Sequence, residues 1–325
     1  MPKPVRFLLF LIIILVLLPV MSLGLTAFSV VFLAAYWGKK ASPTAFDPLF
    51  ARYYMHHMGT RPDPRSAELM FALPGMPRPI VLAALGPFIW AAKVTGFPIA
   101  FYDYPNPEPA GVLTGILAGR TTFFDNAITE YRDKVAQIVF LGAGWDTRPY
   151  YMAQAKGVAV YEVDKATNQA IKRGALDKAG IDTSDVRFTP ADFNRESWLD
   201  ALKRTDFDPA RPTFVLLEAV SYYLEPEGMV NTLRLFADEL APGSVIAFDY
   251  VSKDIIDGKA GLIWRFLLLE LKAFGEPWQF GISLGEPAED SLSVFAAQFG
   301  LEIDRFLPAG EPGHRKYALA ILTKR

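Results

Sequence analysis

The chain has 325 residues, of which 51% are hydrophobic and 21% are charged, and its mean hydropathy of +0.20 is high for a protein surrounded by water. Its formal net charge is −2 and no basic stripe is visible, so the sequence predicts no nucleic-acid partner. The absence of cysteine excludes disulfides, thiolate chemistry and cysteine-ligated zinc. His56 and His57 are adjacent and do not share a helix face, so we predict no metal site.

The first 40 residues are dominated by an apolar run. The 32 residues from 7 to 38 carry no charge, which exceeds the roughly 20 residues that a helix needs to cross a bilayer. We therefore predict that residues 1–40 form a membrane anchor, a transmembrane helix. A cleaved signal peptide is the less favoured alternative, because its apolar core would be shorter and a small-residue cleavage site would follow. Pro19 and Gly24 leave open a re-entrant hairpin instead of one tilted span.

Residues 41–110 are rich in proline, which predicts a helical connecting and covering region made of short, interrupted helices. Residues 80–101 are a second apolar stretch. Lys93 and two internal prolines favour an interfacial or buried helix there over a second crossing. From its composition and its position ahead of the next domain, we expect this segment to admit a lipophilic molecule sideways.

Residues 111–325 alternate between helical and strand patterns, which predicts a parallel α/β sheet with right-handed crossovers. A helix is expected over residues 111–134, and an apolar helix over 255–273 is expected to line a pocket or touch the membrane. The last two strands have no helix between them, which implies a closing hairpin at the sheet edge. The seven predicted strands lie near residues 137–141, 158–163, 186–190, 213–217, 244–251, 301–307 and 316–323.

Residues 138–150 read IVFLGAGWDTRPY, and residues 158–164 read VAVYEVD. An apolar strand, a Gly-x-Gly turn and a second strand ending in an acidic residue are the outline of a nucleotide-binding βαβ unit. Glycine lets the backbone approach a ligand closely, and the acid can accept hydrogen bonds from a ribose. Thr147 stands where a dinucleotide fingerprint would have its third glycine, which weakens the hypothesis of NAD binding.

Six phrases, in this order, resemble one family of enzymes: GRTTFFDNAI, IVFLGAGWDTRPY, VYEVDKATNQAIKRGAL, PADFN, PTFVLLEAVSYYL and PGSVIAFDYV. They are similar to the class I methyltransferase fold and, within it, to the leucine carboxyl methyltransferase-like family of O-methyltransferases. The resemblance covers residues 119–325. It implies a Rossmann-like seven-stranded sheet with a closing antiparallel hairpin, and S-adenosyl-L-methionine as the cofactor.

The resemblance also implies roles for single residues. Arg120 would pair with the methionine carboxylate of the cofactor, although a surface arginine on a helix is the alternative. The backbone of Gly142, Ala143 and Gly144 would pass beneath the cofactor. Asp164 would accept hydrogen bonds from the ribose hydroxyls, with Glu162 as the competing acid.

Asp192 and Phe193 resemble the family's adenine-binding pair, although Asp192 could instead cap the next helix. Glu218 would lie nearest the reacting sulfonium, and Tyr223 falls where the family keeps a tyrosine, so these two are the candidate catalytic residues. Residues 146–148 match the family's Asp-Thr-Arg phrase, and local capping of the turn explains Asp146 equally well.

Methyl transfer from a sulfonium depends mostly on positioning. A carboxylate acceptor needs no general base, and the sequence offers no convincing histidine base, which favours a carboxylate or an acidic hydroxyl. The N-terminal third departs from the family pattern, so the acceptor, the choice between carboxyl and hydroxyl methylation, and the oligomeric state stay open.

We predict a membrane-anchored O-methyltransferase that acts on a small-molecule or lipophilic acceptor. Its domain should lie on the cytosolic face, where S-adenosyl-L-methionine is made. Lys39, Lys40 and Arg52 after the apolar run weakly favour the same side. An NAD-dependent oxidoreductase and a non-catalytic membrane scaffold are the two alternatives.

Overall fold

The computed structural model describes residues 1–36, 42, 44–97, 99, 102–107, 116–193 and 195–325. Several predictions from the sequence therefore lie outside the described residues. They are the positive charges at Lys39 and Lys40, the two domain boundaries at 40–41 and 110–111, and the helical pattern over 111–115.

One mixed sheet organises the C-terminal two thirds of the chain. Its strands are β1 Gln137–Leu141, β2 Ala159–Asp164, β3 Val186–Pro190, β4 Thr213–Leu217, β5 Val245–Ser252, β6 Gly281–Ile282, β7 Glu302–Ala309 and β8 Tyr317–Thr323. The strand order is β3-β2-β1-β4-β5-β8-β7. Strands β1 to β5 are parallel, whereas β8 runs antiparallel to both β5 and β7. The predicted α/β sheet with a closing antiparallel hairpin is thereby confirmed.

The central strands β1 and β4 are buried at every residue, as expected for continuous apolar runs that are covered on both faces. Register aligns Leu141 with Val163 and Phe140 with Leu216, so the carboxyl ends of β1, β2 and β4 meet at one edge. The sequence did not predict β6, a two-residue strand that pairs with the end of β5.

Helices cover both faces of the sheet and extend to the N-terminus. They are α1 Lys3–Tyr36, α2 Phe46–Met58, α3 Pro64–Ala72, α4 Arg78–Thr95, α5 Ile116–Tyr131, α6 Ala166–Ala179, α7 Trp198–Leu202, α8 Pro226–Glu239, α9 Lys253–Ile256, α10 Leu262–Ala273 and α11 Ala288–Ala297. The single helix expected over residues 255–273 is divided into α9 and α10, because Gly258 and Gly261 adopt φ angles of +70° and +104° that end one helix before the next begins.

α1 is one continuous helix through Pro19, so the hairpin broken near that proline is not what the structure shows. It is the one helix among the described residues that is long and apolar enough to cross a membrane, and only 11% of its most apolar window is buried. α1 packs along α4: Arg6 donates to the carbonyl of Gly96 at 3.2 Å. At Gly24 an added Cβ would lie 2.6 Å from the backbone of Ala83, so only glycine permits this approach.

The covering region departs from the sequence prediction at α4. α2 and α3 are short, as expected, but α4 runs for 18 residues and contains Pro87. Pro87 has no N–H to donate within α4, and the packing of α4 against α1 and α2 stabilises the helical turn that lacks this hydrogen bond. The ring of Phe88 lies 5.6 Å from that of Phe10 on α1 and 6.0 Å from that of Tyr54 on α2.

Candidate functional site

A cavity of about 470 Å³ opens at the edge where the carboxyl ends of the parallel strands meet. Two sets of side chains line it. The polar half includes Arg52, Arg120, Gly142, Ala143, Gly144, Asp146, Asp164, Asp192, Phe193, Glu218 and Tyr317. The apolar half includes Leu117, Tyr222, Tyr223, Val251, Trp264, Leu267, Leu271 and Trp278, with the carboxylates of Asp47 and Glu276 near Tyr223.

The turn after β1 requires both of its glycines. Gly142 has φ +65°, and a Cβ there would lie 2.5 Å from the side chain of Val220. Gly144 has φ +43°, and its N–H donates to Oδ2 of Asp164 at 2.7 Å. The turn is thus held open and tied to the end of β2.

Asp164 lies in the cavity wall, 7% exposed, with its carboxylate fixed by three donors. Besides Gly144, the N–H of Lys165 donates to it at 2.6 Å and the amide of Asn168 at 2.9 Å. Three bonds leave acceptor capacity on the two carboxylate oxygens for a ligand.

Glu162, the competing acid, does not line the cavity. It is fully buried within β2, where the Lys172 ammonium lies 2.9 and 2.8 Å from its two oxygens. The Tyr150 hydroxyl donates to it at 2.5 Å. Of the two acids, the structure brings only Asp164 to the cavity.

Three arginines converge on Glu218 at the end of β4. The Nε of Arg120 lies 3.1 Å from Oε1, and Nη2 of Arg52 lies 3.0 Å from Oε2, which Arg148 also contacts. Arg120 is 6% exposed and lies 3.8 Å from Asp249, so the alternative of a surface arginine is wrong. The positive charges are balanced by carboxylates, as buried charges require.

Arg52 is the site residue that the sequence placed wrongly. It was expected to act as a positive charge flanking the apolar run, but it is 1% exposed on α2 and lies in the cavity wall. Its Nη1 lies 3.1 Å from Oδ1 of Asp146. Burial alone would raise the pKa of Asp146, but the guanidinium groups of Arg148 and Arg52 lower that pKa below its ordinary value. No local motif identifies Arg52, because its partner Glu218 is 166 residues away.

Backbone strain marks the turn that follows Glu218. Ala219 has φ +57°, an unusual angle for a residue with a Cβ, and its N–H donates to Oδ1 of Asp249 at 2.8 Å. Tyr223 follows in the apolar half, and burial raises its pKa to about 12. Its phenol therefore stays protonated near neutral pH and can donate a hydrogen bond.

Asp192 and Phe193 follow β3 and both line the cavity. The alternative role for Asp192, capping the next helix, belongs to Ser197, whose hydroxyl accepts from the N–H groups of Leu199 and Asp200. Apart from Glu162, the structure thus brings to one cavity every residue that the resemblance predicts to bind the cofactor or to act in catalysis. Among the residues that the structure describes, no cluster of three or more potential metal ligands is found.

Comparison with known proteins finds a family match over residues 97–237, to the model described as leucine carboxyl methyltransferase. Two proteins named "Putative S-adenosyl-L-methionine-dependent methyltransferase" are similar to this chain. The one from Mycolicibacterium gilvum is 36% identical over 155 residues, which are 47% of this chain and 50% of the relative. The one from Mycolicibacterium paratuberculosis is 38% identical over 133 residues, 40% of this chain and 42% of the relative.

The chain thus spans about half the length of the curated relatives that it matches. Among solved structures, a protein from Thermobifida fusca described as a "putative methyltransferase" is 17% identical with a TM-score of 0.48, over 90% of this chain and 100% of that one. The matches in sequence confirm the resemblance that the six phrases predict, to the leucine carboxyl methyltransferase family of S-adenosyl-L-methionine-dependent methyltransferases.

Proposed function

We propose that this chain is a membrane-attached, S-adenosyl-L-methionine-dependent O-methyltransferase. One observation carries the proposal: the glycine turn, Asp164, Arg120 and Glu218 line a single cavity at the carboxyl edge of the sheet. That edge is where open α/β sheets bind their ligands.

The polar half fits the proposed cofactor. Arg120 would hold the methionine carboxylate, Asp164 the ribose hydroxyls, and Asp192 with Phe193 the adenine. Within the described part of the chain, Nε of Arg120 and Oε1 of Glu218 are buried without a hydrogen-bond partner, although they lie 3.1 Å apart. A bound carboxylate and ammonium would satisfy both atoms.

When bound, the cofactor supplies a methyl group on a positively charged sulfur, which leaves as a neutral thioether. The protein's contribution is orientation and exclusion of water. Glu218 is held in place by three arginines, and its Oε1 would accept a hydrogen bond from the ammonium group of the cofactor. Tyr223, with its raised pKa, would donate a hydrogen bond to the acceptor rather than remove its proton.

The acceptor oxygen would form its bond to the methyl carbon as the bond from that carbon to sulfur broke. A carboxylate acceptor is ionised near neutral pH and needs no proton removal, whereas a hydroxyl acceptor must lose its proton to a base. The lining offers no histidine to take that proton. We therefore favour a carboxylate, or an acidic hydroxyl, on a molecule apolar enough to occupy the apolar half.

Calorimetry on the full chain in detergent tests the cofactor assignment. We expect binding of S-adenosylhomocysteine and none of NADH; the reverse would indicate an oxidoreductase, and binding of neither would indicate a scaffold. Arg120→Lys should weaken S-adenosylhomocysteine because the bidentate fork is lost. Arg187→Lys is the matched control, since Arg187 is exposed and pairs with Asp206 outside the cavity.

Membrane attachment is proposed through α1, whose apolar surface is largely exposed. α1 contacts the rest of the protein at both of its ends. Near its start Arg6 donates to the carbonyl of Gly96, and at its end the ring of Tyr36 lies 5.2 Å from that of Phe46. The chain returns from Gly96 to Tyr102 in six residues, at most about 21 Å. Because the Tyr102 ring lies 4.3 Å from Tyr54, this return cannot recross a bilayer about 30 Å thick. We infer that α1 and α4 enter the bilayer from the cytosolic face together.

Labelling of sealed membrane vesicles tests this arrangement, because the chain has no cysteine of its own. Lys3→Cys should react with an impermeant maleimide only from the cytosolic face, together with the domain marker Lys203→Cys. Reaction of Lys3→Cys from the opposite face would establish a crossing instead. Protease cleavage of the domain from the non-cytosolic side would contradict the proposed location, because it would separate the site from its methyl donor.

A further inference from the structure

α10 exposes a row of large apolar side chains. Leu262 and Phe266 are each 70% exposed and Leu269 is 63% exposed, at spacings that place them on one face of the helix. We propose that this outer face of α10 docks on the lipid bilayer and that a lipophilic acceptor reaches the cavity past it. This proposal rests on the methyltransferase function above and names the class and source of the acceptor.

The opposite face of the same helix lines the cavity. Trp264, Leu267 and Leu271 are in its wall, at helical spacings of three, four and seven residues. α10 is therefore a single layer between the apolar half of the cavity and the exterior. An apolar molecule that leaves lipid at the outer face stays against apolar side chains on its way to the apolar half.

Lipid is the occupant that the surroundings of α10 indicate. The end of α1 packs on Phe46 of α2, and two residues before Phe46 the hydroxyl of Thr44 donates to Glu276, three residues beyond the end of α10, at 2.5 Å. The end of α1 and the segment that follows α10 thus meet at the start of α2, and a bilayer that covers α1 lies next to α10.

Two of the three charged residues on α10 agree with this occupant, the third being the exposed Glu270. Arg265 and Lys272 are both exposed and lie seven residues apart, along one border of the apolar row. Long basic side chains at the border of an apolar helix face reach anionic lipid headgroups while their stems stay in the apolar layer.

α10 takes the role that the sequence suggested for residues 80–101. The described residues of α4 do not contribute to the cavity wall, because α4 packs on α1 and α2 rather than on the cavity. Entry beside α4 is therefore not supported, whereas α10 touches both the cavity and the exterior.

The test uses the full chain, in which any introduced cysteine is unique. Phe266→Cys carries an environment-sensitive fluorophore, and the protein is reconstituted into phosphatidylcholine vesicles with and without phosphatidylglycerol. Val294→Cys on α11 is the matched control. It is 67% exposed, and its helix packs through Leu292 in the core on the opposite face of the sheet. Acyl chains bearing a nitroxide serve as the quencher.

We expect at least a twofold stronger quenching at position 266 than at position 294, and a further gain with phosphatidylglycerol that Lys272→Ser reduces. Equal quenching at the two positions would overturn the proposal. A second result would also overturn it: a label at position 266 that is shielded from water but not quenched by the lipid nitroxide, and that lies close to the label on another molecule. In that case a second copy of the chain, and not lipid, would cover the face.

The proposed function can fail separately from this surface. Calorimetry with S-adenosylhomocysteine on the labelled Phe266→Cys protein reports the cofactor site alone. Lipid quenching without cofactor binding would leave the membrane surface in place and remove the methyltransferase assignment. Cofactor binding without lipid quenching would leave the methyltransferase assignment in place and remove the membrane surface. Acceptor entry past α10 would then be excluded.

Discussion

The two halves of the cavity are built in opposite ways. In the polar half, buried charges fix one another: Asp164 accepts three hydrogen bonds, and Glu218 is held by three arginines. In the apolar half, large side chains such as Trp264, Leu267 and Trp278 enclose space mainly through their shape. A preorganised polar wall suits a ligand of constant structure, whereas an apolar wall adapts more easily to different acceptors.

The halves also differ in where along the chain they come from. Most of the polar half lies within residues 97–237, which match the family model, whereas Val251, Trp264 and Trp278 of the apolar half lie beyond them. Arg52 and Tyr317 are the exceptions, since the N-terminal covering region supplies Arg52 and β8 supplies Tyr317. The cofactor site is thus expected to be shared with the relatives, and the acceptor site to be particular to this protein.

The largest expected effect comes from the buried ion pair between Glu162 and Lys172, which lies outside the cavity wall. Glu162→Ala leaves the Lys172 ammonium buried and unpaired, so the free energy of unfolding should fall by about 3–5 kcal/mol. Denaturant titration in detergent measures this loss. The double variant Glu162→Leu/Lys172→Met should recover much of it, because no buried charge remains. A loss below about 1 kcal/mol would show that Glu162 and Lys172 do not form a charged pair in the folded protein.

The next effect depends on pH. The pKa of Asp146 is lower in the fold than in the unfolded chain, so its ionised form stabilises the protein above about pH 4 and this contribution is lost as the pH falls further. Asp146→Asn should lower the free energy of unfolding by about 2–3 kcal/mol at pH 7. The difference from the wild type should stay constant above about pH 5 and narrow progressively as the pH falls below about 4. A difference independent of pH would exclude the arginine contacts as its cause.

A smaller effect separates the two acids of β2. Asp164→Ala should weaken binding of S-adenosylhomocysteine by about 1–3 kcal/mol, because hydrogen bonds to the ribose are lost. Glu162→Ala should change the affinity of the folded fraction less, since Glu162 does not line the cavity. Calorimetry on both variants decides between them. The opposite order would assign the ribose to Glu162 and leave the fold unchanged.

How far the sequence predicts this molecule depends on how local the determining contacts are. The bounds expected for β1 and β4 are those observed, because buried parallel strands are continuous apolar runs. Asp164 was found because a strand, a turn and an acid lie close together in sequence. Arg52 was not, because its role depends on contacts with Asp146 and Glu218 that only the folded chain creates.

The division of residues 255–273 into two helices shows the same limit. Hydrophobic periodicity predicts one helix there, whereas Gly258 and Gly261 end α9 and begin α10 at a new angle. That break is what leaves α10 as a separate layer over the cavity.

The smallest expected effect compares one tyrosine from each half. Tyr223→Phe removes a hydroxyl that hydrogen-bonds Thr44 in the apolar half, so affinity for S-adenosylhomocysteine should change by less than about 0.5 kcal/mol. Tyr317→Phe removes the hydroxyl that donates to Asp249, the carboxylate near Arg120 in the polar half.

The two substitutions delete the same atom, so a difference between them reports position alone. Without the Tyr317 hydroxyl, Asp249 competes more strongly for Arg120, and the cofactor's carboxylate should bind several-fold more weakly than in Tyr223→Phe. Calorimetry with S-adenosylhomocysteine measures both affinities, and thermal unfolding confirms that both variants stay folded. If Tyr223→Phe weakened binding as much as Tyr317→Phe, Tyr223 would belong to the cofactor site, and the division of the cavity into two independent halves would be wrong.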